Sequence, residues 1–283
     1  MTTRQKKHLW TAVHLLICIL IGFVMAYPLL WMVGAAFKQN GEIYNNSHIF
    51  PRGEWVLTSW RDGWYGVGTL HFDTFIKNSI LVVAPNVLFT ILSCTLTAYG
   101  FARFRFVGKK IFFMLMLSLL MLPNAVIQVP TYILFRDFGW LNSYKPLIVP
   151  SLFASSSFLI FMLVQFFRGI PKDLDEAAII DGCSSMGILV RILVPLCLPA
   201  MVSAGLFQFL WTWNDYFHPM LYLNSTNLYT VSLGLRMSLD ATTGVQWNNI
   251  MAMSTLSILP CVVLFFCLQK HFVEGIAAGG LKG

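Results

Sequence analysis

The sequence predicts an all-α, polytopic membrane protein with about six transmembrane helices. Three observations carry that expectation. Only 11% of the 283 residues are charged and 57% are hydrophobic, whereas a soluble domain carries about 25% charge. Apolar blocks long enough to cross a hydrocarbon core of about 30 Å recur along the chain. The basic residues do not gather on one polar face, as a nucleic-acid surface would require; they punctuate the ends of the apolar blocks, as topology signals do.

The first block, about Leu15 to Val33, follows Arg4, Lys6 and Lys7. It is longer than a signal-peptide core and passes through Tyr27-Pro28-Leu29 without a small-residue cleavage site, so it reads as an uncleaved first span. Residues 38 to 75 are polar and carry Trp55, Trp60 and Trp64, either interfacial anchors and small-loop core or a cradle for a sugar ring. The second block, about Ile80 to Phe101, ends in Arg103, Arg105, Lys109 and Lys110. Small residues at helical spacing, Ala98 with Ala102 and later Ala200 with Ala204, are expected as faces presented to a partner subunit. The third block, about Ile111 to Phe135, holds Pro123 and Pro130, and the fourth, about Leu147 to Phe167, is interrupted by Ser155-Ser156-Ser157. The fifth begins near Pro195 and runs into Trp211-Thr212-Trp213-Asn214-Asp215, and the sixth spans about Ile250 to Leu268.

With both termini inside, twelve of the nineteen basic residues fall on the inner side, as the positive-inside rule requires. The six cysteines form no C-x-x-C pair and the six histidines no ligand spacing, which argues against a disulfide framework, a zinc site or a membrane-embedded enzyme. No Gly-rich phosphate loop is present, so energy comes from another subunit or from an ion gradient. An ion-coupled secondary transporter of small polar solutes is the alternative; it would place paired ionisable residues in mid-span, and the spans hold almost none.

One polar stretch, Ile170 to Pro195, interrupts the apolar pattern. Pro171 suits the first turn of a helix, and Asp173, Asp175 and Glu176 crowd that turn, where the helix dipole favours negative charge. Gly182 is placed to end the helix in a left-handed conformation. A second helix starts near Ser184 and runs towards Pro195. Glu176-Ala177-Ala178, then Gly182, Ile192 and Pro195 at fixed spacing, resemble the EAA loop of ABC importer permeases, with Val194 where leucine is common. The resemblance covers nearly the whole chain and fits carbohydrate permeases of the maltose type.

That resemblance implies a type I importer fold in a bacterial cytoplasmic membrane: residues 1–75 forming an N-terminal segment with the first helix and an external loop, and residues 76–283 forming a five-helix core. It implies that Glu176, Ala177, Ala178, Asp181 and Gly182 form a cytoplasmic coupling helix that docks on an ATPase subunit. It implies as partners a second, related permease, an ATPase pair, an extracytoplasmic solute-binding protein and membrane lipid, with no nucleic acid. This chain would bind no cofactor and catalyse nothing, ATP and Mg residing on the ATPases. The expected cargo is a sugar or oligosaccharide.

Asp215 is the one carboxylate embedded in a mostly apolar stretch, and is either a path residue or an interfacial cap. Trp211, Trp213, Asn214 and Asp215 resemble a stretch near the translocation path of sugar permeases. The tail through Gly279, Gly280 and Lys282 is too Gly-rich to predict a stable helix, yet resembles an ending that reaches the ATPase interface. By position, the outer loop around Asn224 to Arg236 corresponds to one that reaches a binding protein in maltose-type systems.

Overall fold

The computed structural model describes residues 3–45, 47–66, 70–239 and 244–280, and every regular element among them is a helix. Among the described residues, five helical stretches are long and apolar enough to cross a membrane, and a bent pair supplies a sixth if it counts as one crossing. The chain divides into two compact units, residues up to 72 with 235–259, and residues 73–234 with 260 onward.

In the first unit, α1 (Thr3–Ala35) is a single helix that carries Pro28 without ending. After it come α2 (Asn40–Asn45) and α3 (Thr58–Tyr65). The loop tryptophans meet other rings of this unit: Trp55 and Trp60 lie 5.7 and 5.6 Å from the ring of Phe37, and Trp64 lies 6.3 Å from Phe72, with Trp55 and Trp64 remaining exposed. Lys38 is fully buried, donates to the His48 carbonyl and sits over the Trp31 ring, and burial pulls its ammonium below its usual pKa. Asn40 bonds Gln246 and the backbone of Asn248, whose own amide donates to Ser59, so polar side chains staple the unit.

The second unit is built on α4 (Phe72–Arg103), which also tolerates an internal proline, Pro85. The expected third span is not one helix. It consists of α5 (Lys109–Ser118), a 3-10 turn to Met121 and α6 (Asn124–Asp137), bent by 104°. Leu122 is extended because the ring of Pro123 disfavours a helical conformation for the residue before it. The fourth block is likewise broken. A short α7 (Lys145–Ile148) and a 3-10 turn end at Ala154, with φ +52°, and α8 (Ser157–Gly169) restarts inside the serine run.

Next come α9 (Asp173–Ile180) and α10 (Ser185–Ile188). The helix expected to run from near Ser184 towards Pro195 and the fifth apolar block are one continuous element. A π-helical turn, Leu189–Leu193, carries α10 into α11 (Val194–Trp213), so one span runs from Ser185 to Trp213. Pro195 follows the π-helical turn directly, so the residue that cannot donate a ladder bond falls where the helical register is already changed. Short helices α12 (Phe217–Tyr222) and α13 (Val231–Leu239) fill the next loop. The last helix, α14 (Trp247–Gly280), runs through Gly279 and Gly280, contrary to the expectation of a non-helical tail. Each glycine costs a helix about 1 kcal/mol, which is less than a long helix already nucleated can absorb. Lys282 lies outside the described residues.

The core of this unit lies where α4, α8 and α11 meet. Leu159, Leu163, Val164 and Phe167 form the buried stripe of α8 at helical spacing, against Leu193 and Cys197. Ala98, Ala102, Ala200 and Ala204 are buried in the same cluster. Their small side chains serve close packing within the chain rather than an exposed face for a partner.

Candidate functional site

Three carboxylates occupy the first turn of α9, and Lys172 precedes them. At the other end Gly182 adopts φ +80°. Its N–H donates to Ile179 O at 3.0 Å, and Cys183 N–H donates to Ala178 O at 2.9 Å. This pair of bonds closes a helix with a left-handed residue and satisfies two carbonyls that would otherwise be orphaned. Ser184 then caps α10, its hydroxyl accepting from Gly187 N–H at 3.2 Å.

The helix presents two faces. Inward, Ala178 is buried in the core cluster and Asp175 meets Arg103 of α4, Nε to Oδ2, at 2.7 Å. Outward, Glu176, Ala177 and Asp181 are exposed, and Ile179 and Ile180 are 61% and 86% exposed. Two bare isoleucines beside an alanine and two carboxylates make a small-residue and aliphatic face of the kind that protein contacts use. Arg103 also donates to Ile170 O at 3.1 Å, and Tyr99, one turn earlier, donates to Ser185 O at 2.9 Å. Arg103 and Asp175 were not singled out as a pair by the sequence, because only folding brings residues 72 positions apart together.

The second part of the site is a cavity of about 800 Å³ walled by α4, α6, α11 and the segment after it. Trp211, Asn214 and Asp215 line it; Trp213 does not. Two residues along a helix lie on nearly opposite faces, and Trp213 is buried, stacked on Phe209 at 5.5 Å beside a separate apolar cavity. Trp211 stacks on Phe207 at 5.6 Å and meets Phe158 edge-on. Asn214 bonds back to Leu210 O at 2.8 Å. Asp215 Oδ1 accepts from His218 N–H at 3.2 Å, and Oδ2 pairs with His218 Nδ1 at 2.8 Å. That bond raises the imidazole pKa above its usual value, against the opposing effect of burial.

Amides and hydroxyls complete the wall. Gln208 donates to Asn86 Oδ1 at 2.7 Å and to Thr212 at 3.0 Å, and Asn86 donates to Leu147 O at 2.6 Å. Gln128 and Thr131 of α6 also line it. Among its lining residues there is no lysine or arginine; its acidic and imidazole side chains are the paired Asp215 and His218. Asn86 and Gln208 were legible as amides in mid-span, a signal the sequence carries but which polar spacing alone does not assign to a cavity.

Comparison with known proteins decides what this arrangement belongs to. The family described as binding-protein-dependent transport system inner membrane component matches residues 91–277. The chain belongs to that family. The permease is 36% identical to a probable ABC transporter permease, YurM, of Bacillus subtilis, over 92% of this chain and 84% of that protein. It is 30% identical to the trehalose/maltose transport system permease MalG of Thermococcus litoralis, over 94% of each. Its fold matches a chain of a bacterial ABC transporter involved in the import of alginate, with a TM-score of 0.81 at 19% identity, covering 96% of this chain and 99% of that one. The permease is therefore an all-α, multi-pass membrane protein of an ABC importer.

Proposed function

We propose that this permease is one of two related subunits that form a translocation path for a sugar or oligosaccharide, driven by an ATPase pair docked on α9. The observation that carries the proposal is the division of α9. Its inner face is fixed to the bundle by Ala178 and Asp175, while Glu176, Ala177, Ile179, Ile180 and Asp181 are left bare. An exposed aliphatic face on a loop otherwise rich in carboxylates is the surface a soluble partner needs.

ATP and Mg would be bound and the nucleotide hydrolysed on that partner. Movement of the docked helix would then open the cavity alternately to each side. The placement of basic residues supports a loop and termini on the cytoplasmic side. The end of α14, through Gly279 and Gly280, would then reach towards the ATPases from the same side. A solute-binding protein would deliver cargo at the opposite surface, to which the order of the spans assigns the loop from Asn224 to Arg236.

The cargo follows from two supports. Relatives carry names for trehalose/maltose, arabinooligosaccharide and diacetylchitobiose uptake. The cavity combines the Trp211 indole with uncharged amides and hydroxyls, the chemistry that holds a polyhydroxylated ring. Uptake of labelled maltose, trehalose and arabinotriose by cells carrying the full transporter tests this. Uptake of at least one should stop when ATP is depleted and survive collapse of the proton and sodium gradients. Uptake that follows the gradients instead would refute the proposal.

A further inference from the structure

Two residues of α4 hold three points of the loop. Tyr99 and Arg103 stand four apart and so share one face of the helix. Through them α4 is tied to the end of α8 at Ile170, to α9 at Asp175 and to α10 at Ser185. The arginine and aspartate side chains are only 7% and 16% exposed, and Asp175 Oδ1 is buried with no hydrogen-bond partner among the described residues. A buried ion pair is a poor way to stabilise a fold, because well-packed apolar residues of similar volume often do as well or better. One with an unsatisfied oxygen is poorer still.

The other end of α4 supplies the complement. Asn86 accepts a hydrogen bond from Gln208 of α11 across the cavity wall. From Asn86 to Arg103, α4 forms a helical rod of about 26 Å at 1.5 Å per residue, and Pro85, next to Asn86, removes one ladder bond where that rod ends. The loop is also joined covalently to α11 through α10. Two helices thus leave the loop, one by chain continuity and one by side-chain contact, and meet again at the cavity.

We infer that Arg103 is a positioning residue for coupling: with Tyr99 it makes α4 move with α9, so that Asn86 and Gln208 travel as one wall. The inference rests on the reading of α9 as the docked helix. Spin labels at Asp173→Cys on α9 and Leu96→Cys on α4, both exposed positions, read it directly. The exposed and half-buried cysteines are replaced by serine, and the intact transporter is compared without nucleotide and trapped with MgATP and vanadate. In the parent the interlabel distance should be the same in both states. In the double variant Arg103→Met/Asp175→Leu, which keeps apolar packing without charge, the distance should shift on trapping while the ATPase remains bound. A purely structural pair would be replaced by Met and Leu with no change in either state, which overturns the inference. A parental distance that itself changes, or loss of the ATPase from the double variant, also overturns it. If the parent holds no ATPase at all, the docking reading fails instead.

Discussion

Gly182 offers the cleanest perturbation of the loop. Its φ is +80°, and a Cβ built there meets no heavy atom within 4 Å. Substitution therefore costs only backbone strain, with no steric contribution from neighbours. A left-handed conformation costs a residue bearing a Cβ roughly 1–2 kcal/mol. Asparagine tolerates it best, alanine is intermediate and a β-branched side chain is worst. Gly182→Asn should cost a few tenths of that range, Gly182→Ala about 1 kcal/mol and Gly182→Val about 2 kcal/mol or more. Since about 1.4 kcal/mol is tenfold in an equilibrium, the valine variant should lower the population of the closed turn by more than tenfold. The bonds lost are those to Ile179 O and Ala178 O. The assay is the affinity of purified ATPase for membranes carrying each variant, with permease abundance measured alongside. Affinity should fall in the order Gly, Asn, Ala, Val at constant abundance. Equal affinity for the asparagine and valine variants would refute the claim that this turn shapes the docking face.

Ala177→Leu adds bulk to an exposed position, so the chain alone should keep its melting temperature while ATPase retention falls; loss of thermal stability would place Ala177 in the core instead. Glu176→Lys removes a favourable first-turn charge worth roughly 0.3–1 kcal/mol and should lower solute-stimulated ATP hydrolysis without changing membrane abundance. Ala98→Leu should do the reverse, lowering the melting temperature of the isolated permease by overpacking worth about 1–3 kcal/mol, because Ala98 is fully buried within this chain. The bond to Asp215 raises the His218 pKa, so the stabilisation it contributes is complete below the unfolded histidine value of about 6.5 and is lost as pH rises through the folded one. Thermal stability followed across that window should flatten in His218→Gln. With no lysine or arginine lining the cavity, and His218 already paired with Asp215, uronic-acid oligosaccharides should compete poorly with neutral ones of equal length in uptake.

Span number and loop positions were readable because lipid imposes length and apolarity on each crossing. The bent pair was only half readable: Pro123 announced a break, but whether a membrane helix bends or tolerates its proline depends on neighbours, and Pro28, Pro85 and Pro260 are all tolerated. The small-residue stripes were read with the right chemistry and the wrong partner, since Ala98 and Ala200 look the same in sequence whether the facing helix belongs to this chain or another. Gly182 was legible because local backbone geometry determines it. The Arg103–Asp175 pair was not, because each residue already had a sufficient local explanation, as a topology charge and as a first-turn carboxylate.

The unbroken helix from Ser185 to Trp213 changes what a push on the loop can accomplish. A loop attached by flexible chain would hand its span a tug along the membrane normal. A loop that is itself the first turns of the span delivers torque. Turning α10 about its axis sweeps Gln208 and Trp211 sideways around the cavity rather than lifting them. The π-helical turn at Leu189–Leu193 is then the part of the shaft with the least regular winding, where twist can be taken up or released before it reaches the cavity.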